Sequence, residues 1–174
     1  MKCKKDDILL CDISKLWLKD ISSKISETTY ALYFSNVENH ILPYFQNKKM
    51  VEIDREMIQT FINQKLENGR LDHKGGLSVT TVKGLYHNIK DMLQYAKMLG
   101  YKVQDIGKIQ FSQSQYKEFA ILNKEQQKCL EQVVKNDGNI QKIGIIICLY
   151  TGIRIGEVCA LKWEDVQFEN AVLH

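Results

Sequence analysis

The apolar repeat between Val79 and Ala96 constrains the fold of this chain more than any other feature of its sequence. Apolar residues return there every three or four positions, which is the spacing of one face of an α-helix. Ser78 is suited to cap the start of this helix, and Gly100 to end it. A helix this long and this amphipathic needs other elements to cover its apolar face. The opposite face carries a polar stripe, which consists of Lys83, His87, Lys90, Gln94 and Lys97.

Three shorter helical patterns precede this helix and can cover it. They run from Ile8 to Ser22, from Ser26 to about Ile41, and from Asp54 to Leu66, with Ser26 and Asp54 as N-caps. Four such helices joined by short loops predict a compact bundle. Pro43 is the only proline of the chain, and it is expected to stop the second helix soon after His40, which is expected to be a helix-packing residue.

The chain changes character after residue 102. Residues 103–120 are polar, rich in glutamine and without strong periodicity, which predicts a flexible or extended linker. Residues 121–174 then show three helical patterns and the start of a β-hairpin. The pattern from Ile140 to Tyr150 is apolar on most sides and predicts a core helix. The predicted fold class is therefore mainly α, with a four-helix bundle, a linker, and the helical start of an α+β domain that ends in a partial hairpin.

Composition and charge exclude several classes of protein. No run of 18 apolar residues occurs and no signal peptide is recognised, so neither a membrane span nor export is expected. The five cysteines form an odd set without a C-x-x-C pair, which argues against a zinc site and a disulfide framework and favours a cytoplasmic location. Residues 1–102 hold 16 basic and 12 acidic residues, whereas residues 103–174 hold 8 and 9. The positive excess in the first part suggests an anionic partner, although solvated helix faces explain it equally well.

Arg154 is a charged residue in surroundings that are mostly apolar or small. Such an arginine either reaches water or binds an anion. Glu157 follows three positions later and can face the guanidinium group across one helical turn. Gly152 and Gly156 flank the arginine and leave room for a bulky anion. From the residues alone, an anion-binding arginine and a buried Arg–Glu pair that only fixes helix packing are about equally supported.

The segment Thr151-Gly-Ile-Arg154-Ile-Gly-Glu157, continued by Leu161-x-Trp163-x-Asp165, resembles the first arginine box of the tyrosine recombinases, the phage integrase family. The helical patterns of residues 8–100 are similar to the SAM-like core-binding domain of that family. The resemblance implies a DNA-binding core-binding domain over residues 1–102, a linker over 103–120, and the amino-terminal part of the catalytic domain over 121–174. In the family the arginine of this box grips the scissile phosphate. The resemblance therefore implies this role for Arg154, with Glu157 as the residue that orients it.

The polar stripe of the long helix has two interpretations. It is either an ordinary solvated face or, as the resemblance implies, a surface that follows the backbone of duplex DNA at an attachment or recombination site. The residues implied to contact the backbone are Lys83, His87, Lys90 and Lys97, and those implied to lie near the major groove are Thr80, Thr81 and Asn88. An intact member of the family acts as a tetramer on DNA. Its phosphotyrosine intermediate conserves the bond energy, so no cofactor and no metal are expected.

The other catalytic groups of the family all follow the first arginine box. They are a lysine on a hairpin, a His-x-x-Arg box, a further His or Trp, and the nucleophilic tyrosine. No tyrosine and no second arginine box follow Arg154 in these 174 residues. We therefore expect a fragment of a site-specific recombinase that binds DNA without cleaving it. The alternative is a non-catalytic DNA-binding or interaction protein that reuses the bundle, for example as a competitor of an intact recombinase.

Overall fold

The computed structural model describes residues 7–111 and 120–174, apart from positions 168, 171 and 174 and the side chain at position 140. The chain divides into two compact units, Met1–Tyr116 and Lys117–His174. Each unit is described by itself. Both are mainly helical, and the second also contains a small antiparallel hairpin, which confirms the predicted fold class.

The first unit is a helical bundle. It contains α1 (Leu10–Ile21), α2 (Glu27–Asn36), α3 (Leu42–Phe45), α4 (Arg55–Asn68) and α5 (Val79–Met98). A π-helical turn, Val37–Ile41, joins α2 to α3, and a 3-10 turn, Met50–Glu52, precedes α4. Because α2, the π-helical turn and α3 follow one another without a break, the unit corresponds to the four predicted helical segments.

Polar side chains cap the helices of this unit as the sequence predicts. The backbone N–H groups of Thr29, Met57 and Thr81 donate to the capping side chains of Ser26, Asp54 and Ser78, at 3.3, 2.7 and 3.1 Å respectively. Each bond satisfies a backbone donor that has no intrahelical partner at a helix start. These local signals therefore set where α2, α4 and α5 begin.

The expectation that Pro43 stops the second helix is wrong, because helical conformation continues to Phe45. Pro43 lies in the first turn of α3, directly after the π-helical turn. A proline is tolerated in the first turn of a helix, where its missing N–H would have had no partner. The wider turn before it allows the chain to remain helical past the proline.

One apolar core holds the first unit together. The apolar face predicted for α5 is confirmed, since Val82, Leu85, Ile89 and Met92 are fully buried. Phe45 and Phe61 pack with their ring centroids 5.0 Å apart in the middle of this core. Other helices contribute further buried side chains, which include Leu10, Ile13, Trp17, Val37, Ile41, Ile58 and Ile62.

Residues 101–111 belong to the first unit, although the sequence predicts a flexible linker from residue 103. Tyr101, Val103, Ile106, Ile109 and Phe111 are partly buried against the core. The side chain of Gln104 donates to the backbone carbonyl of Val51 at 2.7 Å. Gln59 and Gln110 exchange two hydrogen bonds of 2.9 Å each. The apolar residues are spaced too irregularly to reveal a helix or a strand, so their packing has no local sequence signal. Residues 112–119 of the predicted linker lie outside the described residues.

The second unit contains three helices and a hairpin. They are α6 (Lys124–Asp137), α7 (Ile143–Thr151), α8 (Ile155–Ala160), β1 (Val166–Gln167) and β2 (Val172–Leu173), with 3-10 turns at Ile140–Lys142 and Trp163–Asp165. The strands are antiparallel and pair Val166 with Leu173 and Gln167 with Val172, as the partial hairpin requires. The predicted capping box of Asn123 and Gln126 is present, with bonds of 2.8 and 2.9 Å.

The prediction of a core helix between Ile140 and Tyr150 is not met within the described residues. No side chain of α7 is buried, and Ile143 and Tyr150 are 51% and 66% exposed. Val134 of α6 is the only buried side chain among the described residues of this unit. Apolar composition predicts that a helix packs against other elements, but it does not show that such elements are present. In the part of the chain that the structure describes, no helix has both the length and the apolar character needed to cross a membrane.

Candidate functional site

The polar stripe of α5 forms an exposed basic surface on the first unit. Lys83, His87, Lys90 and Lys97 are all exposed to solvent. At 1.5 Å per residue, the 14 positions from Lys83 to Lys97 span roughly 21 Å, which is the length of about six base pairs. The structure therefore brings these four predicted residues to one side of one rigid helix. Such an arrangement can follow the backbone of a nucleic acid.

Neighbouring groups modulate the charge of this stripe. The Nζ atom of Lys83 lies 5.7 Å from the ring centroid of Phe111, a cation–π distance that holds the side chain near α5. Lys90 and Lys97 line an open cleft of about 390 Å³ whose other wall includes Asp105. Burial raises the pKa of Asp91, on the same helix, against the opposing effect of His87 and Lys90. Acidic groups thus lie beside the lysines of the stripe and offset part of their positive charge.

Asn88 does not belong to this surface, which corrects its predicted place near the major groove. Its side chain is 1% exposed, and its Oδ1 atom accepts a hydrogen bond of 2.9 Å from Nδ2 of Asn36 in α2. Asn88 lies three positions after Leu85 and four before Met92, so helical periodicity already assigns it to the apolar face. Its polarity is used inside the bundle, where it joins α5 to α2.

Thr80 and Thr81 are exposed in the first turn of α5. The hydroxyl of Thr81 lies 2.8 Å from that of Ser78, and its backbone N–H donates to the same side chain. Both threonines therefore lie at the end of the helix where backbone N–H groups point outward. This end can interact with anions, whereas the stripe from Lys83 onward acts through side-chain charge alone.

Arg154 lies at the N-cap position of α8 and is exposed, not buried. Its side chain is 87% exposed. Its Nη1 atom donates to Oε1 of Glu157 at 3.1 Å, and its backbone N–H donates to Oε2 at 2.8 Å. The contact between Arg154 and Glu157 across one turn is thus present. The exposure argues against a buried pair that only fixes packing, and an exposed pair of this kind contributes at most about 1 kcal/mol to stability.

The surroundings of Arg154 leave space for an incoming anion. A Cβ atom added at Gly152 or at Gly156 would meet no atom within 4 Å beyond its chain neighbours and, for Gly156, the backbone of its own helix. Gly152 has a φ of 73° and ends α7 in the left-handed conformation that the sequence predicts. Of the five N–H bonds of the guanidinium group, one is directed at Glu157, so the others remain available for a planar, forked contact with an oxyanion.

A hydrogen bond between α6 and α7 was not expected from the sequence. The hydroxyl of Tyr150 donates to Oε1 of Glu131 at 2.8 Å, and Nε2 of Gln127 donates to the same oxygen at 3.1 Å. This bond raises the pKa of Tyr150 and lowers the pKa of Glu131. It fixes the end of α7 immediately before the turn that carries Arg154. Glu131 and Tyr150 are 19 positions apart, and no local pattern links them.

His40 has a feature that the sequence does not predict. It packs inside the bundle, as expected, but its Nδ1 atom is buried and has no hydrogen-bond partner among the described residues. Burial lowers the pKa of His40, and the charge of Lys65 lowers it further. The described side chains include no group of three or more His, Cys, Asp or Glu residues arranged to hold a metal ion.

Comparison with known proteins gives one family-model match, in the first unit, and two curated relatives that match most of the chain. The family model for the phage integrase N-terminal SAM-like domain matches residues 10–66, from the start of α1 into α4. A tyrosine recombinase XerC-like protein of Caldanaerobacter subterraneus subsp. tengcongensis is 26% identical over 174 residues, which cover 96% of this chain and 43% of that protein. The putative defective protein IntQ of Escherichia coli K12 is 23% identical over 186 residues, which cover 97% of this chain and 44% of that protein.

The chain thus spans less than half the length of these curated relatives. Both matches extend over nearly the whole chain, so they include the Arg154 segment as well as the bundle. No solved structure matches the chain significantly.

Proposed function

We propose that the chain is a member of the tyrosine recombinase (phage integrase) family and that its residues bind duplex DNA at a recombination site. For the whole protein, the proposed activity is site-specific breakage and rejoining of DNA through a phosphotyrosine intermediate, as in the integration or excision of a mobile element. Its proposed active form is a tetramer on DNA. These 174 residues carry the proposed core-binding domain (1–102) and the amino-terminal part of the catalytic domain (121–174).

The observation that carries the proposal is the exposed stripe of Lys83, His87, Lys90 and Lys97 on α5. Cations held on one rigid helix can contact several backbone phosphates and release counterions when they bind. Such contacts position a protein on the duplex, while bases are read by other groups. Thr80 and Thr81 at the start of the same helix are proposed to lie near the groove.

Arg154 is proposed to bind the scissile phosphate. Its exposed guanidinium group and the open space beside Gly152 and Gly156 would allow a phosphate of bound DNA to approach. Glu157 fixes the orientation of the fork through a contact of 3.1 Å. A guanidinium group placed in this way can stabilise the charge that develops on the phosphate during transesterification.

By themselves, these 174 residues are proposed to bind DNA without cleaving it. Cleavage requires a nucleophile in addition to an electrostatic clamp, and no tyrosine follows Arg154 in the sequence. Tyr150, the last tyrosine, donates its hydroxyl hydrogen to Glu131, which raises its pKa and disfavours the phenolate.

The binding proposal is tested by measuring the affinity of the chain for a fluorescent duplex over a series of KCl concentrations. The double variant Lys83→Ala/Lys90→Ala is expected to bind at least about tenfold more weakly near 0.1 M salt, with a log–log salt slope shallower by about two. The control is Lys15→Ala/Lys19→Ala, which removes the same charge from exposed positions of α1. Binding that ignores salt, or equal losses in both variants, would refute the assignment of the stripe.

The role of Arg154 is tested in the full-length protein with a suicide substrate that traps the phosphotyrosine intermediate. Arg154→Ala is expected to abolish cleavage by at least about a thousandfold while duplex binding largely survives, since a catalytic electrostatic contact is strongest in the transition state. Undiminished cleavage would leave Arg154 with a structural role only.

A second candidate function is that of a non-catalytic competitor of an intact recombinase. It draws on the name of one relative, which marks that protein as defective. The two candidates differ in the reading frame that follows codon 174. A downstream His-x-x-Arg box and tyrosine support the recombinase. A stop codon together with inhibition of recombination by the purified chain supports the competitor.

A further inference from the structure

An open groove of about 490 Å³ lies in the first unit at the start of α5. The π-helical turn after α2 forms one wall, and the loop between α4 and α5 forms another. It is separate from the lysine stripe, which begins further along α5. The polar residues and the glycine that line it are His40, Arg70, Asp72, Gly76, Ser78 and Thr81.

The start of α5 supplies neutral hydrogen-bond donors to this groove. The helix has 20 residues and no acidic residue in its first turn. Its first backbone N–H groups lack intrahelical acceptors, and the aligned peptide dipoles place a partial positive charge at this end. The hydroxyls of Ser78 and Thr81, 2.8 Å apart, line the same end. This combination favours an anion.

His40 provides independent evidence that a polar ligand belongs in the groove. Its side chain is only 9% exposed, it lines the groove, and its Nδ1 atom is buried without a hydrogen-bond partner among the described residues. An unsatisfied polar atom inside a protein typically costs about 1–3 kcal/mol, so such atoms usually have a role. A ligand in the groove would contact the edge of the ring that lines it, directly above the buried Nδ1 side.

Arg70 adds a formal positive charge at the rim. Its Nε and Nη2 atoms donate to Asp72 at 2.9 and 2.7 Å. This pairing lowers the pKa of Asp72 to about 2, so the carboxylate stays charged near neutral pH. The guanidinium group keeps three further N–H bonds for a ligand. Because Asp72 repels negative charge, the groove favours a monoanion such as a phosphodiester over the dianion of free phosphate.

The groove is built into the fold. The backbone N–H of Arg70 donates to the carbonyl of Gly75 at 3.0 Å, and that of Leu77 donates to Lys65 at 2.9 Å. A Cβ atom at Gly76 would lie 1.6 Å from the carbonyl oxygen of Leu66, so only glycine allows this close approach. The loop of residues 70–76 is therefore tied to the end of α4. Its contacts fix Arg70 and Ser78 relative to each other.

We propose that this groove binds one phosphodiester of the DNA backbone, held by Arg70, the hydroxyl pair of Ser78 and Thr81 and the amides of Val79 and Thr80, with His40 at its base. The proposal rests on the proposed DNA-binding function, and it adds a second contact to the lysine stripe on the same helix. A phosphate held by a helix start and a guanidinium group would fix where the stripe lies along the duplex.

The test uses the 174-residue chain and the double variant Arg70→Gln/Asp72→Asn, which leaves the net charge unchanged. Its affinity for a fluorescent duplex near 0.1 M KCl is expected to fall about tenfold, with a salt slope shallower by about one. Thr81→Val, which removes only a hydroxyl, is expected to bind several-fold more weakly. The control is Asp20→Asn/Lys24→Gln, which removes the exposed ion pair of Asp20 and Lys24 and should bind like the wild type.

The outcomes separate this proposal from the one on which it rests. If the wild-type chain shows no salt-dependent binding, DNA binding itself fails. If the wild type binds and Arg70→Gln/Asp72→Asn binds with the same affinity and slope, the groove holds no phosphate and only this proposal is overturned. A circular dichroism spectrum and an unfolding curve like those of the wild type establish that the variant is folded.

A second measurement does not depend on the variants. The NMR signal of the His40 ring proton on Cε1 is expected to shift when an unlabelled duplex is added, and to shift much less with inorganic phosphate at equal ionic strength. An unchanged signal on saturation with duplex would overturn the proposal. An equal shift with inorganic phosphate would show that the groove takes free phosphate, which overturns the assignment to the DNA backbone.

Discussion

His40 places a titratable ring inside the helical bundle. Both the neutral and the protonated form of this ring are energetically unfavourable there. The neutral ring leaves Nδ1 without a partner among the described residues. The protonated ring would put a charge in the core close to Lys65, whose own pKa is lowered by burial. Burial and Lys65 both lower the pKa of His40 below its ordinary value of 6.5. The folded chain therefore binds fewer protons at this site than the unfolded chain does.

The linked prediction is that the chain loses stability in mildly acidic solution. The contribution of His40 is complete above pH 6.5, and it declines as the pH falls below that value, because the unfolded state takes up the proton first. Urea unfolding is expected to show a lower midpoint at about pH 5.5 than at about pH 7.5. His40→Gln should lose much of this difference, whereas His73→Asn, in the exposed loop, should keep it. Equal pH dependence in the wild type and in His40→Gln would contradict the prediction.

Residue-level prediction from the sequence was most accurate where one local geometry decides the outcome. The N-caps at Ser26, Asp54 and Ser78 depend on a few consecutive residues, and all three are confirmed. The surroundings of Arg154 and Asn88 depend on what packs nearby: the sequence left the exposure of Arg154 open, and the burial of Asn88 differed from expectation. The unsatisfied nitrogen of His40 depends on the neighbours of a ring in three dimensions, which no spacing rule reports.

The junction of α2 and α5 combines apolar packing with one buried polar pair, Asn36 and Asn88. The Nδ2 atom of Asn36 donates to Oδ1 of Asn88 at 2.9 Å between side chains that are 52 positions apart. Loss of one partner leaves the other with an unsatisfied polar group in a partly buried place. The pair thus specifies how α2 meets α5, in addition to the apolar contacts around it.

Asn88→Ala is accordingly expected to lower the free energy of unfolding by about 1–3 kcal/mol. Its affinity for duplex DNA, measured well below the unfolding transition, should equal that of the wild type, since the side chain is buried. Asn39→Ala is a matched control because the Asn39 side chain is exposed and, among the described residues, its amide donates to the Ser35 hydroxyl on the helix surface, so it should change stability by less than about 0.5 kcal/mol. If the Asn88→Ala variant were stable but bound DNA more weakly, Asn88 would contact DNA, and its assignment to the core would be wrong.

Helices could be predicted from the sequence where apolar residues recur at a regular spacing. The 20-residue helix α5 has a strong apolar repeat, and its predicted face is buried. Residues 101–111 have no repeat, and their partners, Val51, Gln59 and Tyr86, come from distant parts of the chain. Pro43 shows the converse case, because a proline signals a break only when the helix register requires its N–H.

At the scale of the whole molecule, the two units differ in how much apolar surface they bury. The first unit contains a continuous core of buried side chains from α1 to α5. Within the described residues of the second unit, Val134 alone is buried, and apolar side chains of α7 and α8 such as Ile143 and Ile155 are more than half exposed. The sequence of α7 correctly predicts a helix whose apolar side chains would be more stable if other elements packed against them. It cannot indicate how much of that cover these 174 residues provide, because coverage is a property of distant elements.

This difference predicts that the units open independently and with unequal free energies. Amide hydrogens of α4 and α5 are expected to exchange at least about a hundredfold more slowly than those of α6 and α7, because opening free energy follows buried apolar contact. Hydrogen exchange with mass spectrometry on the whole chain measures both sets of peptides at once. A shortened chain, residues 1–116, should protect α5 as well as the whole chain does, since its core lies within that unit. Equal protection of α7 and α5 would contradict the prediction, because it would show that the second unit is more stable than its few buried side chains indicate.

If the prediction holds, salt-dependent DNA binding should persist in residues 1–116, because the stripe and the groove both lie on the protected unit.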